Sequence, residues 1–240
     1  TLDEKLAQMV SFWMQEIQQD KDFSLVKAKD LLKHGIGQIT RTAGNSTLEP
    51  AAVARFNNAL QRYLVKETRL GIPAIVHEEC CAGYMGLGGT MFPQMLGLSC
   101  TFQPELARQM TSEIRLQMRG VGAHEGLAPV LDVARDARWG RIEETFGEYP
   151  TLISHFGMAY IQGLQSETLK NGVMATGKHF VGHSASQGGM NCAPSIIGIH
   201  DLWDTYLAPF QAAIRDAKLA CIMNAYPELD GEVVASSRRI

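Results

Sequence analysis

Lys178 and His179 stand side by side in the stretch MATGKHFVGHSASQGGMNCAP, which begins apolar and ends polar and broken by glycine. An ammonium withdrawn from water without acceptors is costly, so Lys178 calls for carboxylates or hydroxyls opposite it. Candidate partners close other apolar runs. Glu78 and Glu79 end GIPAIVHEE, Asp132 lies in GLAPVLDVARD, and Asn224 and Tyr226 end KLACIMNAY. Adjacent residues on a strand point to opposite faces, so one of Glu78 and Glu79 is expected to face a site and the other not. The loop DVARDARWGRIEETFGE carries Asp132, Arg135, Asp136, Arg138, Arg141, Glu143, Glu144 and Glu148, with Trp139 and Phe146 among them. Arginine's planar fork can bond a hydroxyl pair or brace a carboxylate. Acids, Arg, Lys, His and Tyr with no phosphate-cradling glycine motif suit a neutral polyhydroxyl ligand. Each sugar hydroxyl can accept from a cation and donate to a carboxylate, at roughly 1.5–3 kcal/mol per charge-assisted bond.

Alternating helical and strand patterns would position these groups. TLDE reads as a capping box, Thr1 with Glu4, opening a helix with Leu6, Met9, Val10 and Met14 on one face. Helices are expected over 50–66, from Pro104 to a stop at Gly120, from Pro150 onward, and over 201–217 with a kink risk at Pro209. Strands are expected over 35–40, 71–79, 126–136, 172–180 and 218–226. Continuous apolar strands joined by helical crossovers imply a parallel sheet covered on both faces. A doubly wound sheet gathers its site at one switch point, whereas a barrel draws residues from many strand ends to one mouth. Polar residues past four strand ends favour an α/β TIM-type (β/α)8 barrel. Only about five units are visible, so residues 1–240 are expected to be the N-terminal portion of a longer barrel domain. The final ELDGEVVASSRRI reads as a helix cut off as it begins. Exposed parallel edges would make residues 1–240 fold poorly alone. No domain boundary is visible.

Composition sets outer bounds. An apolar share of 45% and a charged share of 20% are those of an ordinary globular protein. A net charge of −3 without a basic run argues against nucleic acid. No apolar run reaches the ~18 residues of a membrane span. The N-terminus lacks a signal-peptide layout and begins without Met, which leaves the compartment open, periplasm and secretion included. Five cysteines, with Cys80 and Cys81 adjacent and no C-x-x-C spacing, read as reduced apolar residues. His77, His124, His179 and His183 could suggest a metal site, and Lys178 an imine, but no H-x-H pair or H-E-x-x-H helix is present. No metal or cofactor is expected. A non-catalytic sugar-binding module is the third reading.

Five blocks, HEECCAG, FPQMLGL, APVLDVARDARWGRIEETFGE, KHFVGHSASQGGMN and IMNAYPELDG, resemble in order the signature blocks of glycoside hydrolase family 3. The resemblance implies a retaining β-glycosidase, most often a β-glucosidase or β-xylosidase acting on a β-linked oligosaccharide or glycoside. It also implies an N-terminal barrel followed by an α/β sandwich domain beyond residue 240. By the same resemblance Glu79 grips outer sugar hydroxyls, Arg141 closes the Arg-Trp-Gly-Arg block, Lys178 and His179 bind the sugar in the −1 subsite, and Met223 and Tyr226 line it. The family's nucleophile is an aspartate in a later Ser-Asp-aromatic block, and its acid/base glutamate comes from the second domain. No catalytic residue is therefore assigned in this chain. Gln187 and Met190 replace charged residues common in the family, Tyr149 stands where Asp is usual, and Cys81 where Leu is common. The Asp-Ser-His of the N-acetylglucosamine-cleaving branch is missing after Lys-His-Phe.

Overall fold

The computed structural model describes residues 1–240, which form two compact units. The first comprises Thr1–Cys80, Tyr84–Thr90 and Leu116–Gly126; the second comprises Cys81–Gly83, Met91–Arg115 and Leu127–Ile240.

In the first unit the strands Ser11–Trp13, Gln38–Thr40, Ile75–Glu78 and Glu125–Gly126 pair side by side in parallel. The helix Pro50–Glu67 begins with proline in its first turn and buries Val53, Phe56, Leu60, Tyr63 and Leu64 on one face. Its Gln61 clasps the start of a strand: Nε2 donates to the Ala74 carbonyl at 2.8 Å, and Oε1 accepts from the Ala74 amide at 3.0 Å. The capping box at Thr1 and Glu4 forms as expected. That helix, however, stops at Ala7, and Ser11–Trp13 is a strand paired with Gln38–Thr40. Met14 is buried outside the helix, because three residues of parallel pairing outweigh a helical spacing that runs on past Ala7.

In the second unit Met174–Phe180 is buried along nearly its whole length and pairs in parallel with Cys221–Asn224. Residues 126–136 do not form the continuous strand that their apolar run suggested. Val130 makes a single parallel bridge to Lys178, and the chain around it is irregular. The bridge still fixes the site, since the Leu131 amide donates to the Lys178 carbonyl at 2.7 Å and the Lys178 amide to the Pro129 carbonyl at 3.1 Å. The helix Pro150–Gln165 buries Ile153, Phe156, Tyr160, Ile161 and Leu164. Phe146 stacks on Phe156 at 5.6 Å between ring centroids, which seats the end of the polar loop on this helix. Tyr149 occupies the N-cap without a side-chain cap bond. Gln165 repeats the role of Gln61: its Oε1 accepts from the Ala175 and Ala220 amides, and its Nε2 donates to the Lys218 carbonyl.

Two further expectations are corrected. The helix expected over 201–217 is a short α-turn, a π-helical turn at Leu202–Tyr206, and then Ala208–Arg215. Pro209 sits in the first turn of that last helix, where its missing N–H is tolerated. The segment from Glu228 is no helix but a hairpin, Glu228–Leu229 against Glu232–Val233. Asp230 and Gly231 both have positive φ, 52° and 82°, the geometry of a two-residue Asp-Gly turn. Both units thus carry parallel strands with helical crossovers, the α/β class of a partial TIM-type barrel.

Helix packing in the second unit depends on Gly163. A Cβ there would lie 2.1 Å from Thr111 Oγ1 and 2.3 Å from the Arg108 carbonyl oxygen, on the helix Pro104–Gly120. Gly163→Ala is expected to cost about 1–3 kcal/mol through forced separation of the helices, read as a lower denaturation midpoint of the whole protein. An unchanged midpoint would mean that the contact is slack.

Candidate active site

The strand Met174–Phe180 delivers Lys178 and His179 at its C-terminal end, 2% and 1% exposed. Asp132, also buried, reaches His179 twice with one oxygen. Oδ2 accepts from the His179 backbone amide at 3.0 Å and from ring Nδ1 at 2.8 Å. A carboxylate oxygen can only accept here, so Nδ1 carries a proton whatever the charge of the ring. Nε2, the other ring nitrogen, is buried without a hydrogen-bond partner.

Arg141 is held by Glu144. Nε donates to Oε1 at 2.6 Å and Nη2 to Oε2 at 2.8 Å, a bidentate pair within the turn Ile142–Glu144 and its flank. The Glu144 bond, with the charges of Glu144 and Asp132 nearby, keeps Arg141 firmly cationic despite its burial. Burial pushes the Glu144 carboxyl up, but the Arg141 bond and the charges of Arg141, Lys178 and His179 overcome it and leave the pKa low. Lys178, His179, Arg141, Asp132 and Glu144 are therefore one electrostatic cluster.

An aromatic wall closes the cluster. His179 and His183 have ring centroids 4.5 Å apart, and Tyr226 lies 5.4 Å from His179 and 5.2 Å from His183. Trp139 meets His183 edge-on at 5.5 Å, and the Tyr226 hydroxyl donates to Met223 Sδ at 3.3 Å. Five residues named from the sequence (Arg141, Lys178, His179, Met223 and Tyr226) thus fall in the second unit. Glu79 belongs to the first, half-buried just past the strand Ile75–Glu78. Its neighbour Glu78 is fully buried. There it accepts from Thr42 Oγ1 and the Ala43 and Gly44 amides at 3.1, 2.6 and 3.0 Å. Burial raises the Glu78 pKa against these bonds, so it is a structural brace.

Asp132, Glu144 and His183 lie outside the binding set expected from the sequence. A signal for Glu144 existed in its three-residue spacing from Arg141, which suits a bidentate pair across one turn. Nothing in the sequence brought His183 to the ring of His179. No group of three or more His, Cys, Asp or Glu side chains is placed to hold a metal ion.

The model of the glycosyl hydrolase family 3 N-terminal domain matches residues 1–240. The chain belongs to glycosyl hydrolase family 3. It is 34% identical over 239 residues to a putative β-xylosidase of Formosa agariphila, covering 96% of this chain and 31% of that protein. It is 36% identical over 164 residues to a periplasmic β-glucosidase/β-xylosidase of Dickeya chrysanthemi, covering 63% of this chain and 24% of that protein. Among solved structures, a β-glucosidase of Erythrobacter marinus superposes with a TM-score of 0.89 at 34% identity, over 98% of this chain and 31% of that one. A mutant β-glucosidase of Listeria innocua in complex with laminaribiose gives 0.82 at 27% identity, over 99% and 33%. The chain therefore spans about a quarter to a third of the length of its family 3 relatives.

In this family 3 chain, burial and then the charge of His179 push the His183 pKa down to about 4 from 6.5. The unfolded chain takes up that proton first as pH falls, so stability is lost between about pH 6.5 and pH 4. His183→Phe removes this loss. Between pH 7 and pH 5 its stability is expected to fall by about 2 kcal/mol less than that of the unsubstituted protein, read from melting midpoints. Equal losses would mean that His183 is not held neutral.

Proposed function

We propose that the chain forms most of the −1 subsite of a retaining β-glycosidase acting on terminal β-D-glucosyl or xylosyl residues. Membership of family 3 makes the chain part of a glycoside hydrolase; the substrate and the retaining course rest on the resemblance and on the chemistry of the cluster. The observation that carries the reading is the Asp132–His179 pair beside buried Lys178 and braced Arg141. That arrangement offers fixed hydrogen-bonding groups to a ring of hydroxyls and no phosphate cradle. Lys178 donates to one hydroxyl, His179 Nε2 addresses another, and Met223 and Tyr226 pack against the apolar face of the sugar. Glu79 would grip outer hydroxyls.

Retention needs an attacking and a protonating carboxyl about 5–5.5 Å apart. In the cluster, Asp132 is committed to His179 and Glu144 to Arg141, so both act as braces. Neither is proposed as the nucleophile or the acid/base.

The full-length protein is expected to cleave aryl β-glucosides or β-xylosides and to release the β-anomer first, as seen by proton NMR. Lys178→Ala is expected to lower kcat/KM by about 10- to 150-fold, the worth of one charge-assisted bond. Cleavage of neither substrate, or initial release of the α-anomer, would overturn the reading.

A further inference from the structure

Three ring nitrogens in the second unit are buried without a partner: Nε2 of His179 and both Nδ1 and Nε2 of His183. Buried polar atoms are nearly always bonded, and each exception asks for an explanation. A phenylalanine would fill the place of His183 at no such cost, because the ring is fully buried against Trp139, His179 and Tyr226. The unpaired nitrogens therefore point to a partner that enters with the substrate.

We propose that His179 and His183 together clasp a single sugar hydroxyl, which makes His183 a specificity-determining contact in the same subsite. This inference rests on the sugar-binding reading above and adds a residue to it. The two ring centroids are 4.5 Å apart, which sets the rings close enough for one hydroxyl to lie beside both. The chemistry is matched as well. Asp132 fixes the proton on Nδ1 of His179, so Nε2 is either a donor or an acceptor, according to the charge of that ring. A neutral His183 supplies the complementary group through one of its two nitrogens. Its ring is kept neutral by burial and by His179, with Asp132, Arg141 and Glu144 as the other charged neighbours. The hydroxyl then accepts one bond and donates one.

Access runs past Tyr226. Trp139, His179 and His183 are at most 2% exposed, whereas Tyr226 is 51% exposed and lies against both histidines. Its one hydroxyl bond goes to a thioether, a weak acceptor. Displacing that ring breaks no strong hydrogen bond.

The test compares the full-length protein with His183→Phe and His183→Gln on an aryl β-glucoside and its monodeoxy analogues. Removing one particular hydroxyl is expected to lower the unsubstituted protein's kcat/KM by about 10- to 100-fold, the range of a hydrogen bond left unmade in a buried site. His183→Phe is expected to lose a similar factor on the parent glycoside and to be indifferent to the loss of that hydroxyl. His183→Gln, which keeps a donor and an acceptor, should recover part of the discrimination. If His183→Phe weakens all substrates equally, or leaves the parent unaffected, the clasp is wrong. If the unsubstituted protein cleaves neither aryl β-glucosides nor β-xylosides, the proposed function falls. The same variants are then compared by calorimetry on glucose and its deoxy forms, where equal discrimination by His183→Phe and the unsubstituted protein would overturn the clasp.

Discussion

One oxygen of Asp132 accepts two hydrogen bonds from His179, one from its backbone and one from its ring, and the chemistry of the second unit depends on that pair. The backbone bond ties the strand Met174–Phe180 to Asp132, and the ring bond fixes which ring nitrogen carries a proton. Because Asp132 and His179 are both buried, removing either would strand a polar group in a dry environment, at about 1–3 kcal/mol or more. The pair is therefore a support for the fold and an orienting device for the site at once. Its neighbours follow the same plan. Glu144 holds Arg141 through two parallel bonds, and Glu78 in the first unit holds the 42–44 loop through three.

The carboxylates of the cluster are thus occupied in holding the His179 ring and the Arg141 guanidinium still, which is the physical basis for reading the chain as a binding surface. A charged side chain fixed in this way loses little entropy when a sugar arrives, so its hydrogen bonds contribute more to affinity. Packing completes the arrangement. Phe146 on Phe156 anchors the polar loop to a helix, and Gln61 and Gln165, each on a helix, clasp the starts of nearby strands. Rigid elements set the positions, and short polar contacts set the angles.

Much of this was legible in the sequence. Proline marked the starts of the helices Pro50–Glu67, Pro104–Gly120 and Pro150–Gln165, and Lys178 and His179 were placed at a strand end by the change from apolar to polar. Alternation on a strand separated Glu78 from Glu79. What failed did so for identifiable reasons. Ser11–Trp13 is too short to show a period, and only its partner Gln38–Thr40 makes it a strand. The expected helix at ELDGEVVASSRRI fails because Asp230 and Gly231 both take positive φ and turn the chain into a hairpin. The apolar run at 127–133 is buried without being a regular strand, a distinction that periodicity cannot draw. His183 meets His179 only because Gly182 turns the chain back at positive φ, a tertiary fact with no counterpart in composition.

The orientation of His179 is the central claim, and nitrogen-15 NMR of the histidine rings in the full-length protein tests it directly. The Asp132 bond predicts that the neutral His179 ring carries its proton on Nδ1, and that Asp132→Ala abolishes this preference. A neutral His179 ring carrying its proton on Nε2 in the unsubstituted protein would contradict it.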